Sequence, residues 1–259
     1  MPLTLNEHTR VIETARSGHF KLQIGADSAV IETLYLRVLD AHRRFNRSPL
    51  AQVANQLEKE VVVTSIFGTN SIEGGTLSKA ETEVALELDP TQVQDVEQLR
   101  AVNLKTTYDL SRKAAVDPDW QLDLPFIQTV QATITNDIPD RYNRPGLLRD
   151  NTKNLTTYVG DKAHGGRYKP PQFRGDIQHL LEALGSWHDE LISRDMPALI
   201  RAPLVHYYYE LIHPFWDGNG RAGRVIEATL LQHAGFQYAP FAQAGFYFNE
   251  IDRYFTLFN

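Results

Sequence analysis

The segment from His213 to Arg224 carries the residue types of a site that handles phosphate: His-Pro-Phe-Trp-Asp-Gly-Asn-Gly-Arg-Ala-Gly-Arg. Gly218 and Gly220 permit a tight loop whose N–H groups can converge on an anion. Arg221 and Arg224 are three positions apart, so on a helix both can face the same side. His213 is the one group of this segment that titrates near neutrality, which suits a general base.

The neighbouring sequence predicts how this loop is held. Pro214 disfavours helical geometry at the residue before it, so a helix predicted from about Pro197 to Ile212 should end there. A second helix, predicted from Arg221 to about Ala234, begins at the end of the loop and adds its N-terminal dipole and free N–H groups. Asp217 lies within the loop, and its carboxylate is a hard oxygen donor suited to Mg²⁺.

A dinucleotide-binding site is the first alternative, because Gly218 to Gly223 formally matches G-x-G-x-x-G. A dinucleotide-binding site of this kind requires a preceding β-strand and a βαβ unit. The preceding Leu204 to Ile212 is predicted to be helical and the sequence shows no βαβ alternation, so we reject a dinucleotide-binding site. A zinc site is disfavoured as well, since the chain has no His-Glu-x-x-His and no cysteine.

Most of the remaining chain is predicted to be helical from its apolar spacing and capping residues. Further helices are predicted at Ala29–Arg44, at Leu50 to about Ser71, after the N-cap Ser78, and at Val93–Lys113, Leu124–Asn136 and Ile177–Ile192. Pro203 should start or bend the helix before the loop, and Gly235 should close the last one. The Pro- and Gly-rich part predicts one β-hairpin, with Leu155–Val159 and Arg167–Tyr168 flanking a turn at Asp161–Gly166. We therefore expect an all-α domain with one β-hairpin.

Composition limits the class of protein. The 259 residues suffice for one or two domains, and 42% apolar with 22% charged residues indicates a globular chain. The net charge of −6 argues against direct nucleic-acid binding. With no cysteines there is no disulfide framework, and no stretch predicts a signal peptide, a lipid anchor or a membrane span. We expect a soluble, cytoplasmic protein that does not bind membranes.

The segment His213–Arg224 resembles the Fic motif, His-x-Phe-x-(Asp/Glu)-Gly-Asn-Gly-Arg-x-x-Arg, at every defined position. The resemblance extends over about Val61 to Tyr254 and includes Tyr168–Pro171 and His206. It implies an all-α, Fic-type helical bundle with one β-hairpin flap beside the active site. The flap is expected to pair with the backbone of a target protein by strand addition.

The resemblance also implies an activity and a role for each motif residue. His213 would deprotonate a hydroxyl of a protein target, which then attacks the α-phosphorus of the substrate ATP. Phe215 would anchor the loop in the core, and Asp217 would hold Mg²⁺ between the α- and β-phosphates. The nucleotide-binding residues would be Gly218, Asn219, Gly220, Arg221 and Arg224.

A second family feature lies upstream. Thr69–Gly74 resembles the inhibitory motif (Ser/Thr)-x-x-x-Glu-(Gly/Asn), in which the glutamate, here Glu73, pairs with the second motif arginine, here Arg224. This implies an N-terminal helical region, residues 1–90, that carries the inhibitory helix, followed by a Fic catalytic core at 91–259.

Several functions stay open at this point. The first is AMP transfer to a Ser, Thr or Tyr hydroxyl of a protein target, which could be the enzyme itself or another copy in a homo-oligomer. Removal of AMP, with Glu73 orienting a water, is an alternative. So are phosphoryl or phosphocholine transfer and a nucleotide-binding regulatory module without turnover. Asn249 and Tyr254 are candidates for the adenine pocket.

Overall fold

Helices dominate the chain in this computed structural model, which describes residues 8–25, 28–151, 155–160 and 162–258. Within these residues a short 3-10 helix at Pro90–Gln92 accompanies ten α-helices. The α-helices are α1 (Ser28–Arg47), α2 (Leu50–Ile72), α3 (Lys79–Ala85), α4 (Val96–Val116), α5 (Leu124–Ile134), α6 (Arg174–Ser193), α7 (Ala198–Ile212), α8 (Asn219–His233), α9 (Ala239–Asn249) and α10 (Ile251–Thr256).

Each of α1 to α8 corresponds to a predicted helix, and the capping residues explain where several of them begin. At the start of α3 the Ser78 hydroxyl accepts from the Glu81 N–H at 3.2 Å, and the Glu81 carboxylate accepts from the Ser78 N–H at 2.7 Å. This is the predicted capping box, which satisfies two backbone donors that the helix leaves open. Asp95 and Asp123 cap α4 and α5 in the same way through their carboxylates.

Helix α7 begins at Ala198 and runs through Pro203, so of the two predicted alternatives only a bend at this proline remains. Two other helix predictions need correction. Helix α8 begins two residues earlier than predicted, at Asn219. Two further helices, α9 and α10, follow the one that the sequence analysis placed last.

The two-stranded sheet lies near the N-terminus, where no strand was predicted. Strand β1 (His8–Glu13) pairs antiparallel with β2 (His19–Ile24), with Ile12 opposite Phe20. Buried and exposed side chains alternate along both strands, and Ile12, Leu22 and Ile24 face the core. The N-terminal region is therefore not purely helical.

The predicted hairpin is reduced to one antiparallel bridge in the described residues. Val159 and Tyr168 exchange two backbone hydrogen bonds, of 2.9 and 2.8 Å. Asp161, at one end of the predicted turn, lies outside the described residues. The all-α fold class with a hairpin is confirmed, but the regular strands belong to the N-terminal sheet.

One cluster of buried apolar side chains joins the N-terminal region to the rest of the chain. Ile12 and Leu22 of the sheet and Ile66 of α2 share it with Trp187 of α6 and Phe215 of the motif. Helix α2 also packs against α9, so N-terminal and C-terminal elements meet directly. The domain boundary at residues 90/91 stays a prediction. Among the described helices, none has both the length and the apolarity needed to cross a bilayer.

Candidate functional site

The motif loop begins at His213, where α7 ends in a left-handed backbone conformation. Its φ and ψ are 48° and 64°, and its N–H donates to Tyr209 O at 2.9 Å. Residues other than glycine seldom adopt this geometry, so the surrounding structure must hold it. The side chain stays partly accessible, with 22% of its surface exposed.

Arg149 is the residue that holds this turn, and the sequence analysis missed it. Its fully buried guanidinium donates from Nε to His213 O at 2.5 Å, and from Nη2 to Ile212 O at 3.1 Å and Pro171 O at 2.5 Å. Burial lowers the pKa of Arg149 to about 10. No local pattern marks this role, because all three acceptors are distant in sequence.

Gln172 fixes the base of the bridged segment that resembles the flap. Its Oε1 accepts from Thr157 N at 2.9 Å and from Asn151 Nδ2 at 2.6 Å, and its Nε2 donates to Pro170 O at 2.5 Å. Since Arg149 links the adjacent Pro171 to His213, the flap segment and the motif loop form one connected unit.

Inside the loop, Asn219 and Phe215 form a reciprocal pair. Phe215 N donates to Asn219 Oδ1 and Asn219 Nδ2 donates to Phe215 O, both at 2.9 Å. Phe215 is buried in the core, as the resemblance implied. The Asn219 side chain therefore shapes the loop.

Gly218 and Asp217 form the turn into α8. Gly218 has φ 78°, and a Cβ there would lie 2.9 Å from Thr135 Cγ2, so both conformation and space require glycine. Asp217 Oδ1 accepts from Gly218 N at 2.6 Å and from Arg221 Nη2 at 2.9 Å. Its carboxylate keeps 36% of its surface exposed, whereas Arg221 is buried.

Glu73 meets the second motif arginine, as predicted. Arg224 Nη2 donates to Glu73 Oε1 at 2.5 Å and to the backbone oxygen of Thr69 at 3.2 Å. A Cβ on Gly220 would lie only 2.1 Å from Glu73 Oε1, so the carboxylate rests directly on the glycine loop. The Glu73 side chain is one-third exposed, whereas that of Arg224 is almost fully buried.

Glu73 and Arg224 each stabilise the charged form of the other. Burial alone would raise the pKa of Glu73, but the adjacent Arg224 outweighs it and holds the pKa below its usual range. Burial would likewise lower the pKa of Arg224, yet Tyr254 and Glu73 outweigh it and the pKa is raised. Both groups are therefore charged at neutral pH.

A group of buried polar side chains lies behind the loop. His206 Nδ1 lies 2.6 Å from Glu227 Oε2, and its Nε2 lies 3.1 Å from the Tyr254 hydroxyl. Arg224 Nη1 donates to that hydroxyl at 3.0 Å. Tyr254, a candidate for the adenine pocket, thus bonds to the motif arginine, while Asn249 is exposed at the end of α9. Both residues stay candidates for that pocket.

Comparison with known proteins agrees with this geometry. Residues 121–231 match the model of the Fic/DOC family. The chain is 27% identical over 183 residues to protein adenylyltransferase Fic of Drosophila ananassae, and 26% identical to that of Drosophila melanogaster. Each alignment covers 69% of this chain and 34% of the relative, so the chain spans about a third of the length of these curated relatives.

Solved structures show the same fold. A Fic family protein from Desulfovibrio desulfuricans superposes with a TM-score of 0.72 at 18% identity, covering 90% of this chain and 66% of that one. A Fic-domain signaling protein from Bacteroides thetaiotaomicron gives 0.63 at 20% identity, covering 77% and 73%. The fold is thus a Fic-type helical fold. Residues 121–231 are similar in sequence to the Fic/DOC family.

Proposed function

We propose that this protein transfers AMP from ATP to a hydroxyl side chain of a protein target. The observation that carries the proposal is the convergence of a partly exposed histidine, a partly exposed carboxylate and two buried arginines on one glycine loop at a helix N-terminus. Relatives with the name protein adenylyltransferase support the same reaction. Catalysis would depend on positioning and on charge stabilisation, with no covalent enzyme intermediate.

In the proposed reaction the target oxygen forms a bond to the α-phosphorus, and the bond from that phosphorus to the oxygen bridging to the β-phosphate breaks. Pyrophosphate leaves, and the hydroxyl proton passes to the His213 imidazole. His213 Nδ1 is buried, 3.8 Å from Glu210 Oε2, which leaves Nε2 as the nitrogen for the target proton. The loop N–H groups with Arg221 and Arg224 would neutralise the phosphates.

The residues present fit a Mg²⁺ ion that arrives with ATP. No cluster of three or more metal-binding side chains occurs among the described residues, but Mg²⁺ often uses one or two carboxylates together with substrate phosphates. The bonds from Gly218 N and Arg221 Nη2 to the Asp217 carboxylate both use Oδ1, so Oδ2 is left for a cation. When bound, the ion would draw negative charge away from the phosphates and favour the leaving group.

Asp217→Asn should keep the bonds to Gly218 and Arg221 in part and weaken Mg²⁺-dependent ATP binding, while Asp217→Ala should block turnover. The effect on binding should vanish when the affinity for ATP is measured without Mg²⁺, because only the metal contact is removed. Calorimetric titration with ATP, with and without Mg²⁺, is the measurement. Normal turnover of Asp217→Ala at ordinary Mg²⁺ concentrations would place the metal ligand elsewhere.

The position of the transferred label tests the reaction itself. Purified Glu73→Gly protein, incubated with cell lysate and ATP, should modify protein when the α-phosphate is labelled and should leave protein unlabelled when the γ-phosphate is. His213→Ala in the same background serves as the control for labelling by lysate enzymes. Labelling from the γ-position alone would make the protein a phosphotransferase.

We further propose that Glu73 restrains the enzyme by occupying Arg224, with residues 1–90 as the regulatory part and 91–259 as the catalytic core of a cytoplasmic enzyme. The 2.5 Å contact and the position of the carboxylate over Gly220 support the restraint. Removal of AMP is a second candidate, because the Glu73 side chain is one-third exposed beside the phosphate loop and could orient a water.

A further inference from the structure

We propose that Tyr254 and His206 are positioning residues that hold Arg224 ready for the terminal phosphates of ATP. This inference rests on the proposed function, because it gives Arg224 a nucleotide to bind. It concerns a chain of four buried side chains: Arg224, Tyr254, His206 and Glu227. We call it the Arg224–Glu227 chain.

The links of the Arg224–Glu227 chain all have hydrogen-bond lengths. They measure 3.0 Å from Arg224 Nη1 to the Tyr254 hydroxyl, 3.1 Å from that hydroxyl to His206 Nε2, and 2.6 Å from His206 Nδ1 to Glu227 Oε2. The chain therefore connects α10, α7 and α8 behind the glycine loop.

The Nδ1 tautomer of His206 gives every bond in this chain one direction. A guanidinium can only donate, so the Tyr254 hydroxyl accepts from Arg224. With the single proton of a neutral His206 on Nδ1, Nδ1 donates to Glu227 and Nε2 accepts from the Tyr254 hydroxyl. All donors point from the cation towards the carboxylate, an arrangement in which neighbouring bonds strengthen one another.

Glu227 places a buried carboxylate at the far end of the chain, linked to Arg224 through Tyr254 and His206. Its carboxylate is fully buried and also accepts from the Tyr247 hydroxyl at 3.0 Å and from Gln243 Nε2 at 2.9 Å, both on α9. An isolated buried charge is costly, whereas one balanced through hydrogen bonds is tolerated. The link to Glu227 does not depend on Glu73.

The two ends of the Arg224 guanidinium thus have different partners. Nη2 bonds to Glu73 and Thr69 O, while Nη1 bonds to Tyr254. When Glu73 moves away, Nη2 becomes available to a phosphate and Nη1 remains fixed. A guanidinium that is already oriented binds its anion without first losing side-chain freedom.

The test measures ATP and AMP binding in the Glu73→Gly background, where Arg224 lacks its carboxylate partner. Tyr254→Phe should weaken ATP binding on the order of tenfold, the typical effect of one hydrogen bond to a charged group. Binding of AMP, which lacks the terminal phosphates, should change by less than about twofold on the same reasoning. Calorimetry gives both dissociation constants.

Tyr208→Phe is the matched control. It also removes a buried tyrosine hydroxyl, which accepts from Gln23 N at 2.7 Å and donates to Gln23 O at 2.8 Å, away from Arg224. It should alter neither dissociation constant. If Tyr254→Phe does not fold, Tyr254→Met is used instead. It also lacks the hydroxyl and should have the same effects on ATP and AMP binding.

The outcomes separate the inference from the proposed function. If Tyr254→Phe weakens ATP and AMP binding equally, or weakens neither, Tyr254 is not a positioning residue. If the Glu73→Gly parent itself binds ATP no more tightly than AMP, Arg224 does not bind the terminal phosphates. That result would overturn the proposed role of Arg224 together with this inference.

Discussion

Replacing His213 with alanine in the Glu73→Gly background should lower the rate of AMP transfer by roughly 10²- to 10⁴-fold, the usual contribution of a general base. ATP binding should stay within about twofold, because the imidazole acts on the target proton and no phosphate contact is removed. The Arg149 guanidinium holds the backbone oxygens of residues 212 and 213, so truncation of the side chain should leave the loop in place.

The backbone geometry at His213 suggests a second variant. Its φ of 48° is more readily adopted by asparagine than by alanine. His213→Asn therefore separates loss of the base from strain in the loop, and it should lose transfer to the same extent as His213→Ala. Single-turnover transfer and ATP affinity are measured for both. If either variant retained more than a few per cent of the parent rate, a base other than His213 would be needed.

The parts of the site that could be predicted from sequence are those whose physical reasons are local. The turn at Gly218, the arginines on one helix and the capping box at Ser78 each depend on residues within a few positions of one another. Glu73 could be paired with Arg224 only through the family resemblance, since nothing local connects residues so far apart.

The parts that could not be predicted are long-range. Nothing in the sequence distinguishes Arg149 from any other arginine in a loop, because its three carbonyl acceptors come together only in the folded structure. The bond between His206 and Tyr254 could not be predicted, because it joins residues of α7 and α10 that are 48 positions apart. The β1–β2 sheet was not predicted because β1 lacks a clean apolar–polar alternation: Val11 lies on the exposed face, and Arg10 shares a face with the buried Ile12.

The second large effect concerns restraint: unmodified protein should be nearly silent, and Glu73→Gly should be faster by on the order of a hundredfold. Misplacement of reacting groups by about an ångström costs that much in rate. The Glu73 carboxylate bonds to Arg224 and lies 2.1 Å from where a Cβ of Gly220 would be, so it engages the guanidinium proposed to bind the terminal phosphate. Its removal leaves the base, Asp217 and the loop untouched.

Graded and matched variants define the mechanism. Glu73→Gln keeps a hydrogen-bond acceptor for Arg224 but loses the charge, so it should activate less than Glu73→Gly. Glu60→Ala, a change at an exposed carboxylate of the same helix α2, should not activate. Arg224→Ala should also fail to activate, because it removes the restraint and the contact to the terminal phosphate together.

The measurement is the transfer of label from ATP labelled at the α-phosphate to lysate proteins and to the enzyme itself, at several ATP and Mg²⁺ concentrations. The restraint acts through competition between a carboxylate and a phosphate for one guanidinium. The rate of AMP transfer by Glu73→Gly, divided by that of the unmodified protein, should therefore depend on the loss of the carboxylate and not on which protein is the target. Equal rates for the two proteins under all conditions would contradict the restraint, and Glu73 would then be a helix-end residue or a group used to remove AMP.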